Sequence, residues 1–264
     1  MKNLFKDKIE TYYDSMNYKL ILGDSFKVLE KINDESVDMI FADPPYFLSN
    51  DGITCKGGKM VSVNKGSWDK LESNKNSSIE NKHEFNRKWI KLCRRILKPN
   101  GSIWISGTFH NIYSIGMALE QERYKIINNI TWQKTNPPPN LACKCFTHST
   151  ETILWACKNE KDTKYLYNYK IMKELNEGKQ MKDVWSGSLT KPSEKKEGKH
   201  PTQKPRYILE KIIIASTNED MVILDPFCGS GTTGVEAISQ KRKFIGIDIN
   251  KEYLEITKKR MEKL

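Results

Sequence analysis

The chain has 264 residues, a net charge of +11 and a pI near 9.2, with 38% hydrophobic and 29% charged residues. That length suits one large α/β domain, with or without a small insertion, and the balance is that of an ordinary globular protein. No apolar run approaches a membrane span, and no long apolar stretch follows the charged start at residues 1–7, so a membrane protein and a signal peptide are both disfavoured and a cytoplasmic protein is expected.

The first buried-strand pattern covers 19–22 and ends in Gly23-Asp24-Ser25. Ser25 is expected to cap a helix carrying Phe26, Leu29 and Ile32, while Asp24 serves either as a cap or as a ligand for an adenine amino group. A continuous apolar run at 37–42 reads as a fully buried strand and leads into Asp43-Pro44-Pro45-Tyr46. In an open α/β sheet the carboxyl ends of the strands are where ligands bind. Two prolines fix the backbone path, so the Pro44 carbonyl points in a set direction beside the Asp43 carboxylate. Together the two acceptors suit both hydrogens of an exocyclic amine, and the Tyr46 ring offers a face for a base. Taken alone, the same four residues also describe a strand-ending proline turn.

Residues 47–81 are rich in Gly, Asn, Ser and Lys and have little periodicity, which predicts a long mobile loop. A helix at 82–97 places Phe85, Trp89, Leu92 and Ile96 on one face before Pro99-Asn100-Gly101. Strands follow at 102–106, 126–133 and 152–156. The six cysteines (Cys55, Cys93, Cys143, Cys145, Cys157 and Cys228) form no disulfide framework in a chain of this length. Cys143, Cys145 and His148 lack the second ligand pair a closed zinc site needs, so no metal is expected.

Residues 157–199 hold eleven lysines against seven acids, with Tyr165, Tyr167, Tyr169 and Trp185 interleaved. That mixture fits phosphate and base contact, and it fits equally a solvated surface insertion with anchoring aromatics. With the overall positive charge it favours a polyanionic partner, although lysine-rich solvated faces produce the same surplus. His200-Pro201-Thr202-Gln203-Lys204-Pro205 enters a helix at 205–216, whose N-terminus and Lys204 suit a carboxylate.

A strand at 222–225 then runs into Asp225-Pro226-Phe227-Cys228-Gly229-Ser230-Gly231-Thr232-Thr233 and a helix of small residues. The glycines permit a tight turn and close approach of a ligand, but neither a P-loop nor the dinucleotide fingerprint is present. The next strand, 244–249, contains Asp248, an acid placed to accept from ribose hydroxyls. Loop and acid together describe a nucleoside site. A last helix covers 251–264. Strands alternating with helices predict a doubly wound, mostly parallel sheet.

These pieces in this order resemble the β group of DNA amino-methyltransferases, over nearly the whole chain. The runs 41–50, 148–156, 200–205 and 225–233 are similar to those of adenine-N6 methyltransferases of DpnII-like restriction-modification systems, the smaller DpnA-like enzyme among them. The resemblance implies a Rossmann-like methyltransferase that uses S-adenosylmethionine and acts on DNA at a GATC-like site. It implies a cognate restriction endonuclease in the same bacterial system. It also implies division into a catalytic half (19–156), a target-recognition insertion (157–199) and a cofactor half (200–264).

Residue by residue, the resemblance implies that Asp43, Pro44, Pro45 and Tyr46 engage a flipped adenine. Phe227, Cys228, Gly229, Ser230, Gly231 and Thr232, with Asp225 at their head, wrap the cofactor. Asp248 holds the ribose, Asp24 and Ser25 the adenine side, and His200, Thr202 and Lys204 the methionine end, with Asp43 facing the same ligand. The recognition stretch is short, which makes the 47–81 loop or a second copy of the chain a candidate contributor. The rival readings are N4-cytosine methylation, more often with Ser at position 43; methylation of RNA or a protein amide, where Asn-Pro-Pro-Tyr is commoner; and a non-catalytic nucleic-acid-binding subunit, which would have lost the cofactor loop or the acid.

Overall fold

Every residue of the segment leading to Asp43 is buried, and the reason is its place at the centre of the sheet. A computed structural model describes residues 4–46, 53–56, 59–62, 79–158, 164–198 and 200–264. The first half runs β1 (Tyr13–Asp14), β2 (Tyr18–Leu22), α1 (Ser25–Lys31), β3 (Val37–Ala42), β4 (Ile53–Lys56), β5 (Lys59–Ser62), α2 (Ile79–Ile96), β6 (Leu97–Gly107) and α3 (Ile112–Gln121). The second runs β7 (Lys125–Lys134), β8 (Thr150–Cys157), α4 (Tyr169–Leu175), β9 (Val184–Gly187), α5 (Arg206–Ser216), β10 (Val222–Asp225), α6 (Thr232–Ser239), β11 (Lys243–Asp248) and α7 (Lys251–Met261).

Among the described residues the main sheet has nine strands in the order β1-β2-β11-β10-β3-β6-β8-β7-β9. The run β2-β11-β10-β3-β6 is parallel, while β8 is antiparallel to both β6 and β7. Helices cover both faces, which leaves the central strands no polar side and explains their unbroken apolar sequence. On one face α1, α2 and α3 bury Leu29, Trp89, Ile90, Ile115 and Leu119 against Ile21, Ile40, Ile103 and Ile245. On the other, α5, α6 and α7 bury Leu209, Ile212, Val235 and Leu254 against Leu20, Met39, Trp104 and Phe244.

From β3 the chain crosses through α2 to β6, and from β10 through α6 to β11, so the two crossovers leave neighbouring strands in opposite directions. Between β3 and β10 lies the switch point, and a crevice opens there at the carboxyl ends of the strands. The Asp38 carboxylate fixes the opposite end of the same pair. It accepts from Val222 N at 2.8 Å and from Lys98 Nζ at 2.7 Å.

Three expectations are corrected. The α1 cap is Asp24, which accepts from Lys27 N at 3.0 Å, and Ser25 lies inside the helix with its hydroxyl turned to Pro226 O at 2.5 Å. Within the stretch expected to be irregular, β4 and β5 form an antiparallel hairpin and α2 already begins at Ile79; the remainder of 47–81 lies outside the described residues. Trp185 is not available to a base. It is 5% exposed, sits in β9 where that strand extends the sheet beside β7, and its ring lies 6.4 Å from Trp104. The preceding α4 packs on α5, with Asn168 Nδ2 donating to Ile214 O and Thr217 O at 2.8 and 2.9 Å. Of the 157–199 stretch, the segment from Gly187 to Gly198 reaches the crevice edge, where Thr190 Oγ1 donates to Gln203 O at 2.5 Å. α4 instead lies near the far end of α5.

Candidate active site

The two chemistry-bearing motifs leave the sheet side by side. β3 ends in Asp43-Pro44-Pro45-Tyr46 and β10 ends in Asp225, followed by the glycine loop. Asp225 organises that loop, its Oδ1 accepting from Phe227 N at 3.0 Å and its Oδ2 from Thr233 Oγ1 at 2.6 Å. Gly229 and Gly231 both adopt positive φ, +53° and +72°, which side-chain-bearing residues avoid. Phe227 turns toward α2, its ring 5.5 Å from Trp89 and 6.5 Å from Phe85.

β11 brings the next acid alongside. Asp248 accepts from Gly229 N at 2.7 Å through one oxygen and from Asn250 N at 2.8 Å through the other. β2 completes this side, with Gly23 N donating to Asp248 O at 3.0 Å and Asp24 at the start of α1. From the loop before α5 come His200, its ring 4.3 Å from that of Tyr253, and Thr202, whose backbone N–H lies 3.4 Å from His200 Nδ1.

One cleft is lined by Asp24, Ser25, Asp43, Pro44, Pro45, Tyr46, His200, Thr202, Lys204, Asp225, Phe227, Cys228, Gly229, Ser230, Thr232 and Asp248. Every residue expected at the site is therefore brought together except Gly231, which does not line the cleft. A side chain there would strike Thr257 of α7, whose Oγ1 lies 2.6 Å from an added Cβ. Its part is to let the loop close onto α7. Lining residues that the sequence did not single out include Phe26, Phe85, Ile249 and Tyr253.

The electrostatics oppose those of the whole chain. In a protein of net charge +11, four acids (Asp24, Asp43, Asp225 and Asp248) line the cleft against one ammonium, Lys204. Burial pushes the Asp225 carboxyl up to about 7 and raises Asp248 despite its backbone hydrogen bonds. Burial, reinforced by Lys204, lowers the His200 imidazole to about 4, so it is neutral at physiological pH. The cleft suits an organic cation with hydroxyls and an apolar ring, and repels a polyphosphate.

Lys204 is the main surprise. Instead of pointing along the α5 N-terminus it turns under the Asp43–Tyr46 motif, donating to Asp43 Oδ2 at 2.7 Å and to Tyr46 OH at 3.1 Å. Tyr46 OH in turn donates to Asp43 Oδ1 at 2.5 Å. Burial pushes Asp43 upward against the pull of this ammonium, and the surrounding carboxylates hold Lys204 firmly protonated. Behind Lys204 stands Glu151 of β8, 3.4 Å away. Its signal in the sequence was a lone acid two residues before the apolar run that begins at Ile153. Cys145 Sγ lies 3.8 Å from His148 Nε2, and among the described residues no group of three or more His, Cys, Asp or Glu side chains is arranged to hold a metal.

Residues 37–259 match the N6/N4 methyltransferase family, described as DNA methylase. The chain is 68% identical over 252 residues to the type II methyltransferase M2.LlaDCHI of Lactococcus lactis subsp. cremoris, covering 96% of this chain and 92% of that one. It is 66% identical over 251 residues to the type II methyltransferase M2.DpnII of Streptococcus pneumoniae, covering 95% and 92%. Among solved structures, the M1.HpyAVI–SAM complex matches with a TM-score of 0.67 at 27% identity over 92% of this chain and 98% of that one. The PvuII DNA methyltransferase (cytosine-N4-specific) shares the fold, with a TM-score of 0.74 at 20% identity over 97% and 89%. The chain belongs to the N6/N4 methyltransferase family of DNA methylases.

Proposed function

We propose that this S-adenosylmethionine-dependent DNA methyltransferase acts on the N6 amino group of adenine. The observation that carries the reading is the convergence of Asp43-Pro44-Pro45-Tyr46 with the acidic, glycine-turned cleft at a single switch point. An aspartate at position 43, where N4-cytosine enzymes more often have serine, supports adenine.

The cleft fits the cofactor. Asp24, Asp43 and Asp248 supply the negative charge that matches a ligand bearing a sulfonium and an ammonium, while buried Asp225 organises the loop. Asp248, fixed by two backbone N–H groups, is held in place to accept from ribose hydroxyls. Asp24 and Ser25 would hold the adenine side, Phe227, Cys228, Gly229, Ser230 and Thr232 would wrap the ligand, and neutral His200 with Thr202 would close the methionine end. When bound, the cofactor supplies an electrophilic methyl group on sulfur.

The chain's own residues do the rest by positioning. The target base leaves the duplex stack, at a cost of roughly a few kcal/mol. It stacks on the Tyr46 ring that lines the cleft, a contact worth about 1–3 kcal/mol. Asp43 and the Pro44 carbonyl accept the two N–H groups and turn the nitrogen lone pair toward the donor. The gain is one of orientation and fixed charge.

The segment 188–198 and its lysines, rather than the whole of 157–199, are the recognition element we assign to the crevice edge, with the 47–81 stretch as a second contributor. Kinship with type II methyltransferases of two bacteria supports a GATC-like site, a cognate endonuclease and a bacterial cytoplasmic setting. Among the described residues no helix is long and apolar enough to cross a membrane. The short recognition element supports a homodimer on DNA, measurable as mass in solution with and without a duplex.

The deciding experiment is methylation of plasmid DNA followed by single-molecule sequencing for modified adenine and cytosine. Methyladenine at one short site is expected. Asp43→Ala should abolish transfer while calorimetry finds cofactor binding retained. Methylcytosine as the product, or an active Asp43→Ala variant, refutes the assignment.

A further inference from the structure

Four buried charges form a line that ends on the catalytic carboxylate. Lys134 at the end of β7 meets Glu151 Oε1 at 2.8 Å, Glu151 Oε2 stands 3.4 Å from Lys204 Nζ, and Lys204 Nζ holds Asp43 Oδ2 at 2.7 Å. Their side chains are between 7% and 16% exposed. The register of the β7–β8 pair, with Trp132 opposite Glu151 and Gln133 opposite Thr150, sets the first two together at the crevice edge. Apolar residues in place of a buried ion pair are often neutral or stabilising, so fold stability alone does not account for such a line.

The contacts are unequal. Asp43 has both oxygens engaged, by the Tyr46 hydroxyl and by Lys204. Glu151 Oε2 lies in ion-pair range of the same ammonium but makes no hydrogen bond in this arrangement, although it is fully buried. A buried carboxylate oxygen without a hydrogen bond is costly, and here it faces the Lys204 ammonium at 3.4 Å. A target amine needs an acceptor on Asp43, and an ammonium seated on that carboxylate competes for it.

We propose that Glu151 is a positioning residue for methyl transfer: it receives the Lys204 ammonium as the target amine arrives, leaving Asp43 ionised yet open to accept the amine hydrogen. The inference rests on the assignment of Asp43 as the residue that binds the amine. It involves hydrogen bonds only, and no covalent bond beyond those of methyl transfer is made or broken. Asp43 also faces the Tyr46 hydroxyl and, at longer range, Asp225. Lys204 also faces Tyr46 and His200, and Glu151 faces Lys134 and Tyr207. These groups are unchanged between wild type and the variants below, so differences between pH profiles report the exchanged residue.

The test is the pH profile of kcat for wild type, Glu151→Gln and Lys204→Met on a duplex containing the methylated site, with cofactor affinity from calorimetry. Glu151→Gln strands the ammonium on Asp43. We expect kcat to fall about 10- to 100-fold with cofactor affinity within about 2-fold of wild type. Its acid limb moves to lower pH, because a neighbouring negative charge is gone and Lys204 serves Asp43 alone. Lys204→Met leaves burial unopposed at Asp43 and moves the acid limb the other way. A simple loosening of the fold does not produce shifts of opposite sign.

Glu151→Asp, which keeps the charge, should recover part of kcat and supplies the reading should Glu151→Gln fold poorly. Wild-type kcat with an unmoved limb in Glu151→Gln, shifts in the same direction for both variants, or Glu151→Asp no better than Glu151→Gln overturns the proposal. An inactive Asp43→Ala beside an unaffected Glu151→Gln refutes this inference alone. An active Asp43→Ala refutes the reading beneath it.

Discussion

Asp225→Asn should make the protein more stable at neutral pH, and by an amount that depends on pH in a defined way. Asp225 is 2% exposed at the head of the cofactor loop, and burial raises its carboxyl from 3.8 to about 7 against the opposing hydrogen bonds from Thr233 and Phe227. A group that binds its proton more tightly in the folded state stabilises the fold fully below its unfolded pKa, here 3.8. That contribution is lost as pH rises through about 7. Each pKa unit is worth about 1.4 kcal/mol, so the full swing is about 4 kcal/mol, of which about 2.5 kcal/mol falls between about pH 5 and about pH 8. The asparagine amide has the same shape, can still accept from Phe227 N, and needs only a rotated Thr233 hydroxyl to keep the second bond. It carries no proton that titrates in this range. Urea unfolding of the cofactor-free protein at the two pH values, followed by tryptophan fluorescence, gives the gap between variant and wild type. That gap should move in the variant's favour by about 2.5 kcal/mol from the lower to the higher pH. Other buried acids, such as Glu236, are common to both proteins. A gap that stays constant, or one that widens toward acid, refutes the account of Asp225 as a carboxyl held neutral by burial.

The two cofactor-loop glycines should separate stability from binding. Gly231→Ala is left-handed and collides with Thr257, and should lower urea-measured stability by about 2–4 kcal/mol. Gly229→Ala carries the same left-handed strain, about 1–2 kcal/mol, but meets only the His200 ring at 3.1 Å, so it should cost the fold less than Gly231→Ala while calorimetry finds cofactor binding weakened. Trp185→Ala should cost about 3–5 kcal/mol of stability and leave the salt dependence of DNA binding unchanged. Replacing exposed Lys191 and Lys196 by Ala should leave stability alone and reduce the slope of log K against log salt by up to about 1.8 in fluorescence-anisotropy titrations; the reverse pattern would return Trp185 to the interface.

The sheet was legible because buried parallel strands have nothing polar to conceal: 37–42 and 222–225 appear at the expected bounds. The two turns that line the cleft, 43–46 and 225–233, were legible because prolines and glycines write their geometry locally. Edge strands were not. β1 has two residues and β9 has four, too few to show a period, and their sides are decided by neighbours far along the chain. For the same reason Trp185 looked like a solvent-facing aromatic among lysines, when β7 and Trp104 had claimed it for the core. Lys204 was placed in the cleft, but its bond to Asp43, 161 positions away, could not be read locally. Glu151 showed only as a lone acid ahead of an apolar strand, with nothing local to name Lys134 and Lys204 as its partners.

The switch point between β3 and β10 has a kinetic consequence. Asp43 meets Lys204 across 161 positions, and Asp38 at the other end of β3 meets Val222 across 184. Loops of that length must close before either half of the cleft exists, and their entropy is repaid only when β10 inserts between β3 and β11. Refolding should therefore show methyl transfer returning last, after secondary structure and tryptophan burial. A nascent chain still short of β10 has no cleft, so methyl transfer should appear only after the strands on both sides of the switch point have been made.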